Sequence, residues 1–282
     1  MTPPPHAPAG APPHAPPSLP WRAAWITPLG ELLSPPRITA TALRLAVQVF
    51  LVVCLWRGLY ARTDGAVAGL DEEQAVGYAV LVVLLTRVRE LDRHAGRDTV
   101  LQHLHHGTIV YWFLRPLSPR RYHALRALGD QLYGFAWVAV GYLICRAVGV
   151  LPPPASAAAG AAFLAGTLLG QLVLYRVMLL VDLLCFWTLR DGAALQIVQF
   201  VQNLLSGAFA PLWFFPEWFR VMNAFLPFQA TLNTPLSLYI GRIPPAQAPG
   251  ELLVQTAWAV GLAVLTRWLW HRAALRVVSQ GG

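Results

Sequence analysis

Apolar residues form long, nearly uninterrupted stretches in this chain, and the polar residues between them gather in a few dense blocks. A helix that crosses a bilayer needs about 20 mostly apolar residues. Six stretches are candidates: 39–60, 73–90, 129–149, 157–187, 193–214 and 251–271. The first carries Arg44 near its start and Arg57 near its end, both long enough to reach an interface. The second is the shortest, with an apolar run only from Ala75 to Thr86. It opens on Asp71-Glu72-Glu73, which suits a helix N-terminus. The third stops at Pro152-Pro153-Pro154. The fourth is longer than a straight crossing requires, so it is expected to tilt, bend or protrude. Ahead of them, Trp21, Trp25, Ile26, Leu29, Leu32 and Leu33 recur at helical spacing. They predict a short amphipathic helix over 21–37, lying at a membrane surface and ended by Pro35-Pro36. Residues 1–20 hold nine prolines and no basic start running into an apolar core, so they read as a disordered or polyproline tail and not as a signal peptide. The expected fold is therefore an all-α integral membrane protein of six transmembrane helices. Its parts are a tail at 1–20, an interfacial helix at 21–37 and a transmembrane domain at 38–282.

Composition sharpens this picture. Of 282 residues, 56% are apolar and only 12% charged, at a mean hydropathy of +0.50. A soluble domain carries roughly 25% charged residues, so a nucleic-acid-binding module and an ordinary cytosolic enzyme are poor fits. All 21 basic residues are arginine, which excludes a phosphate-loop lysine, a kinase-type ATP lysine and a Schiff base. Cys54, Cys145 and Cys185 lie in apolar stretches without metal spacing and are expected to be small buried hydrophobes. With the N-terminus inside, thirteen arginines fall on inner segments and three (Arg62, Arg220 and Arg242) on outer ones. The positive-inside rule then puts both termini in the cytoplasm.

Two segments are not ordinary loops. The inner one, 87–128, holds eight arginines and five histidines. Residues 97–106 are helix-compatible and Gly107 is placed as a stop. Thr108 to Leu114 is β-branched and aromatic, Arg115-Pro116-Leu117-Ser118-Pro119 is a rigid break, and Ser118-Pro119 suits the start of a helix that leads into the third span. Such an element either lies on anionic lipid or docks against a cytosolic partner. Its length, aromatic content and proline bracing favour docking. The outer segment, 206–242, contains Pro211, Pro216, Pro227 and Pro235, which are expected to break helices while the residues between them stay apolar. Broken apolar backbone is tolerated at membrane depth only where protein or a water-lined cavity covers it. The segment thus reads as a re-entrant pair of short helices closing the outer end of a pathway, with an interfacial aromatic belt as the alternative.

Charged residues inside the spans are few. Arg176 and Asp182 share the fourth span but lie about 240° apart around a helix at ~100° per residue. Each is expected to find a partner on another helix or to line a path. His94, His103, His105 and His106 invite a metal reading, but the third ligand of a zinc site is missing, so no metal is expected. Asp130 reads as a boundary residue opposing Arg126.

At these residues the chain resembles a known family. Gly107-Thr108-Ile109-Val110-Tyr111, followed by Leu114-Arg115-Pro116-Leu117, is similar to the cytoplasmic-loop pattern of one branch of bacterial type-2 ATP-binding-cassette (ABC) exporter permeases. Ser206-Gly207, Pro211-Leu212, Phe215-Pro216, Leu226-Pro227-Phe228, Pro235 and Gly241 resemble that branch's outer signature, and Gln255 with Trp258 and the ending Arg276-Val277-Val278 to Gln280-Gly281-Gly282 also match. The resemblance covers about 21–282. It implies a plasma-membrane permease subunit without a cofactor of its own, a separate ATPase that binds ATP, a second permease that is homologous or identical, and contacts with membrane lipids but not nucleic acid. It makes Gly107, Tyr111, Trp112, Leu114, Arg115, Pro116 and Leu117 the ATPase-coupling loop. It makes Ser206, Gly207, Pro211, Phe215, Pro216, Pro227 and Phe228 the outer re-entrant gate.

Two other functions remain to be weighed. An integral membrane enzyme of lipid metabolism needs clustered acids, histidines or metal ligands at a membrane face, and the six spans hold a single histidine, His271 at the very end of the last. A structural subunit that anchors a complex without conducting is harder to separate. The arginine asymmetry makes one firm prediction: a reporter fused after Gly282 is active on the cytoplasmic side, and activity on the far side refutes the layout.

Overall fold

The computed structural model describes residues 21–62, 65–67, 69–94, 119–188 and 193–280. Among them are nine α-helices: α1 (Arg22–Leu32), α2 (Pro35–Tyr60), α3 (Glu72–His94), α4 (Pro119–Ala147), α5 (Ala157–Thr188), α6 (Ala193–Leu205), α7 (Glu217–Ala224), α8 (Asn233–Tyr239) and α9 (Ala248–Gln280). Three stretches are long and apolar enough to cross a membrane: Pro35–Tyr60, Ala157–Leu183 and Pro245–Arg272. Helices α3 and α4 have the length, with 23 and 29 residues, but are less apolar. The tail at 1–20 and the inner segment from 95 to 118 lie outside the described residues.

Two boundaries differ from the sequence reading. Pro35 and Pro36 do not close α1; they open α2. Proline favours a helix's first positions, where its missing N–H would have no intrahelical partner. Helix α1 stops at Leu32, and Ser34 Oγ donates to the Gly30 carbonyl at 3.1 Å. The second difference is the fifth span. Instead of one helix over 193–214, α6 ends after 13 residues at Leu205.

The other ends follow from local chemistry. Helix α3 starts in a reciprocal cap: the Gln74 N–H donates to Asp71 Oδ1 at 2.7 Å, and the Asp71 N–H donates to Gln74 Oε1 at 3.3 Å. Helix α4 ends at a left-handed Gly149, with the Val150 N–H returning to the Cys145 carbonyl.

Helix α3 is the centre of the molecule. Val80, Leu81 and Val88 are fully buried, and Val76, Tyr78, Leu84 and Leu85 nearly so. A stretch apolar on all sides, as residues 75–85 are, belongs in a core, and α2, α4 and α8 surround this helix. Helix α2 is the opposite case. It contains the most hydrophobic window of the three, yet only 6% of that window is buried. Leu43, Val47, Phe50, Leu51 and Leu55 all face outward, and so does Cys54, which was expected inside. Apolar surface on this scale has no place in water and fits contact with lipid. A second packed unit, α5 against α9, stands beside the first. Its core includes Val173, Val177, Ala259 and Leu262.

Helix α1 lies on α4 at Gly129, which is buried against the Ala24 backbone; a Cβ there would overlap the Ala24 carbonyl. Gly129→Val is therefore expected to detach α1. Limited trypsin digestion in detergent should then cut faster at Arg37, at unchanged helix content.

Candidate functional site

The site is the stretch between Leu205 and Ala248, where the chain folds back into the bundle as a series of short pieces. Gly207 ends α6 with φ +82, and the Ala208 N–H returns to the Asn203 carbonyl at 3.1 Å. Pro211 precedes a 3-10 turn at Leu212–Phe214, and Pro216 precedes α7. Pro227 lies just before a second 3-10 turn at Gln229–Thr231. Each of these three separates elements, as expected. Pro235 does not. It is the third residue of α8, in the first turn, where its missing N–H costs no helical bond.

Helix α8 is only seven residues long, and Thr234 to Tyr239 are all buried. It packs on α5, with contacts to α3 as well. Helix α7 is two-sided. Phe219 and Asn223 turn inward, while Trp218, Val221 and Met222 are exposed.

Side chains, most of them from the long helices, supply the donors that this broken backbone needs. The fully buried Gln255 of α9 donates through Nε2 to the Ala230 carbonyl at 2.7 Å and the Gly166 carbonyl at 3.1 Å. Asn223 Nδ2 donates to the Leu205 carbonyl at 2.7 Å, satisfying the end of α6. Gln74 Nε2 donates to the Ile240 carbonyl at 3.1 Å. The Tyr78 hydroxyl lies 3.1 Å from the Gly207 carbonyl and 3.2 Å from Asn233 Oδ1. Arg89, 2% exposed, donates to Ser206 Oγ at 3.1 Å and to Thr231 Oγ1 at 3.5 Å. The approach is close because α5 is thin there. A Cβ at Gly170 would sit 2.9 Å from the Ala230 carbonyl, and one at Gly166 only 3.3 Å from Pro235. This is the small-residue spacing that lets backbones meet inside membranes.

Aromatic rings and an arginine close the end near α8. Tyr239 donates to the Pro152 carbonyl at 2.8 Å and meets the Tyr142 hydroxyl at 3.1 Å. Trp213 packs edge-on against Tyr78 at 5.2 Å, and Arg242 lies over the Trp213 ring at 4.6 Å while donating to the Gly69 carbonyl. The exposed Arg57–Glu72 pair nearby, at 3.9 Å, adds little.

Of the expected gate residues, Ser206, Gly207, Pro211 and Pro227 are buried and Phe215 and Phe228 partly so; Pro216 is exposed at the start of α7. The expected coupling residues Gly107, Tyr111, Trp112, Leu114, Arg115, Pro116 and Leu117 lie outside the described residues, as do His103, His105 and His106. Arg176 and Asp182 do not meet; the Arg176 guanidinium lies 5.4 Å from the ring of Tyr175 instead. Asp130 is fully buried. The sequence reading missed Gln74, Tyr78, Arg89, Asn223 and Thr231. Gln74, Tyr78 and Arg89 fall within about 60° of one helix face at ~100° per residue, though only Tyr78 lies inside the apolar run Ala75 to Thr86.

Replacing Gln255 by Leu strands the buried Ala230 carbonyl, and the expected destabilisation is about 1–3 kcal/mol. Gly207→Ala forces a left-handed backbone on a Cβ at about 1–2 kcal/mol and presses it to 2.6 Å from the Tyr78 hydroxyl. Both should lower the thermal midpoint in detergent, which an exposed change such as Val260→Ala should not. The family model described as ABC-2 family transporter protein matches residues 46–281. No curated protein and no solved structure matches the chain.

Proposed function

The chain belongs to the ABC-2 transporter family, and from that premise we propose that it is the permease subunit of an ABC exporter in a bacterial plasma membrane. It is the membrane component and not itself a catalyst. A separate ATPase binds the nucleotide, and a second permease, identical or homologous, completes the path. The six crossings are α2, α3, α4, α5, α6 with the break beyond it, and α9. Helix α1 is the interfacial element, residues 1–20 form the tail and both termini are cytoplasmic. The arginine asymmetry supports that orientation.

The observation that carries this reading is the buried broken segment. Tyr78 and Arg89 are eleven residues apart on α3, about 16 Å at 1.5 Å per residue, yet they reach the adjacent residues Gly207 and Ser206. Counted from Glu72, the middle of that interval lies about 17 Å along α3, roughly half the ~30 Å hydrocarbon thickness. Backbone without regular structure at that depth fits a re-entrant gate, where every polar group must be satisfied by protein. In the proposed cycle, closure of the ATPase moves the inner segment around 97–121, and the spans reorient between inward-open and outward-open states. Such coupling requires that the loop bind differently in the two states.

Trp112→Ala and Arg115→Ala are expected to leave insertion and ATP hydrolysis in place while lowering the substrate moved per ATP. This is measured with the reconstituted complex in proteoliposomes. Normal transport by both variants would show that the loop is not the coupler.

A further inference from the structure

We infer that Arg89 is the positioning residue that ties movement of α3 to the break at Ser206-Gly207; this rests on the permease reading above. Helix α3 runs from its cap at Asp71-Gln74 to His94, and the chain beyond it is the inner segment. A displacement of that segment therefore acts first on the Arg89 end of α3. Arg89 is buried and donates to two hydroxyls whose own protons are already placed: Ser206 Oγ donates to the Asn203 carbonyl at 3.3 Å, and Thr231 Oγ1 donates to the Phe228 carbonyl at 2.7 Å. Both oxygens are thus held as acceptors toward the guanidinium. The charge-assisted bonds span two different pieces of the segment, the end of α6 and the 3-10 turn before α8.

Arginine suits this role for a geometric reason. Its planar fork presents several donors at fixed angles, so one side chain holds Ser206 and Thr231 at a set separation; a lysine ammonium is a single point on a flexible stem. Tyr78 holds the other side of the same break, and Gly207 with its positive φ is where the backbone direction changes. A pull on Arg89 consequently reaches α6 and α8 together, and through them α7.

The test uses the full complex, with its ATPase, in lipid nanodiscs. Cys54, Cys145 and Cys185 are replaced by serine, and Arg220→Cys places a maleimide target on the exposed face of α7. With Arg89 present, trapping with ATP and vanadate should change the labelling rate by about 5-fold or more, the usual lower size of a coupling between sites. Arg89→Gln should remove that response while the complex still assembles, and Arg89→Lys should restore part of it. Ser206→Ala combined with Thr231→Val keeps the arginine and removes its acceptors; it should also lose the response, and it decides the matter if Arg89→Gln fails to assemble. A full nucleotide response in an assembled Arg89→Gln complex, or in the Ser206→Ala/Thr231→Val complex, overturns the inference. If no ATPase co-purifies, the permease reading fails and takes this inference with it; a parent complex that hydrolyses ATP but shows no labelling response overturns the inference alone.

Discussion

Backbone that is neither helix nor strand has polar groups left over, and away from water those groups need partners inside the protein. That constraint governs the region from Leu205 to Ala248. Gln255 serves Ala230, Asn223 serves Leu205, Tyr78 serves Gly207 and Gln74 serves Ile240. Three of these donors come from the long helices α3 and α9, which act as a frame that solvates the short pieces, and Asn223 comes from the short α7. Glycines on α5 then bring the frame close enough for these bonds to form.

The frame and the segment depend on each other in packing as well. Leu232, Leu236, Tyr239 and Ile240 share one core with Val76, Leu81 and Leu85 of α3. Phe163 of α5 packs against Tyr239 at 5.0 Å. The α2–α3–α4 group and the α5–α9 pair are therefore joined through α8, a helix of seven residues. An interaction that shifts α8 shifts the contact between the two groups.

How much of this was legible in the sequence varied with the kind of signal. Long apolar runs revealed α2, α5 and α9 because length and hydropathy suffice for such helices. The start of α3 was legible because Asp71-Glu72-Glu73 suits a helix N-terminus. Proline gave mixed information. Pro211, Pro216 and Pro227 do separate elements, but Pro35, Pro36 and Pro235 begin helices, and composition alone does not distinguish a stop from a first turn. The fifth span was over-extended because residues after Leu205 remain apolar. The break depends on Gly207 and on Tyr78, which is far away in sequence. The same distance hid Arg89: as one arginine on the edge of a basic block it looked like part of an inner loop, and only the fold brings Ser206 and Thr231 to it.

Helix α2 lacks the enclosure that holds α3. Its apolar side chains face outward, and among the described residues it packs mainly on α3, with smaller contacts to α1 and a ring contact from Trp56 to Phe214. Acyl chains suit an apolar face of this kind, and the height of a crossing helix follows bilayer thickness. Thinning the bilayer, or replacing it with a short-chain surfactant, would shift this helix before any other. The first sign of a poorly chosen detergent would be a loosened N-terminal arm on an otherwise intact bundle.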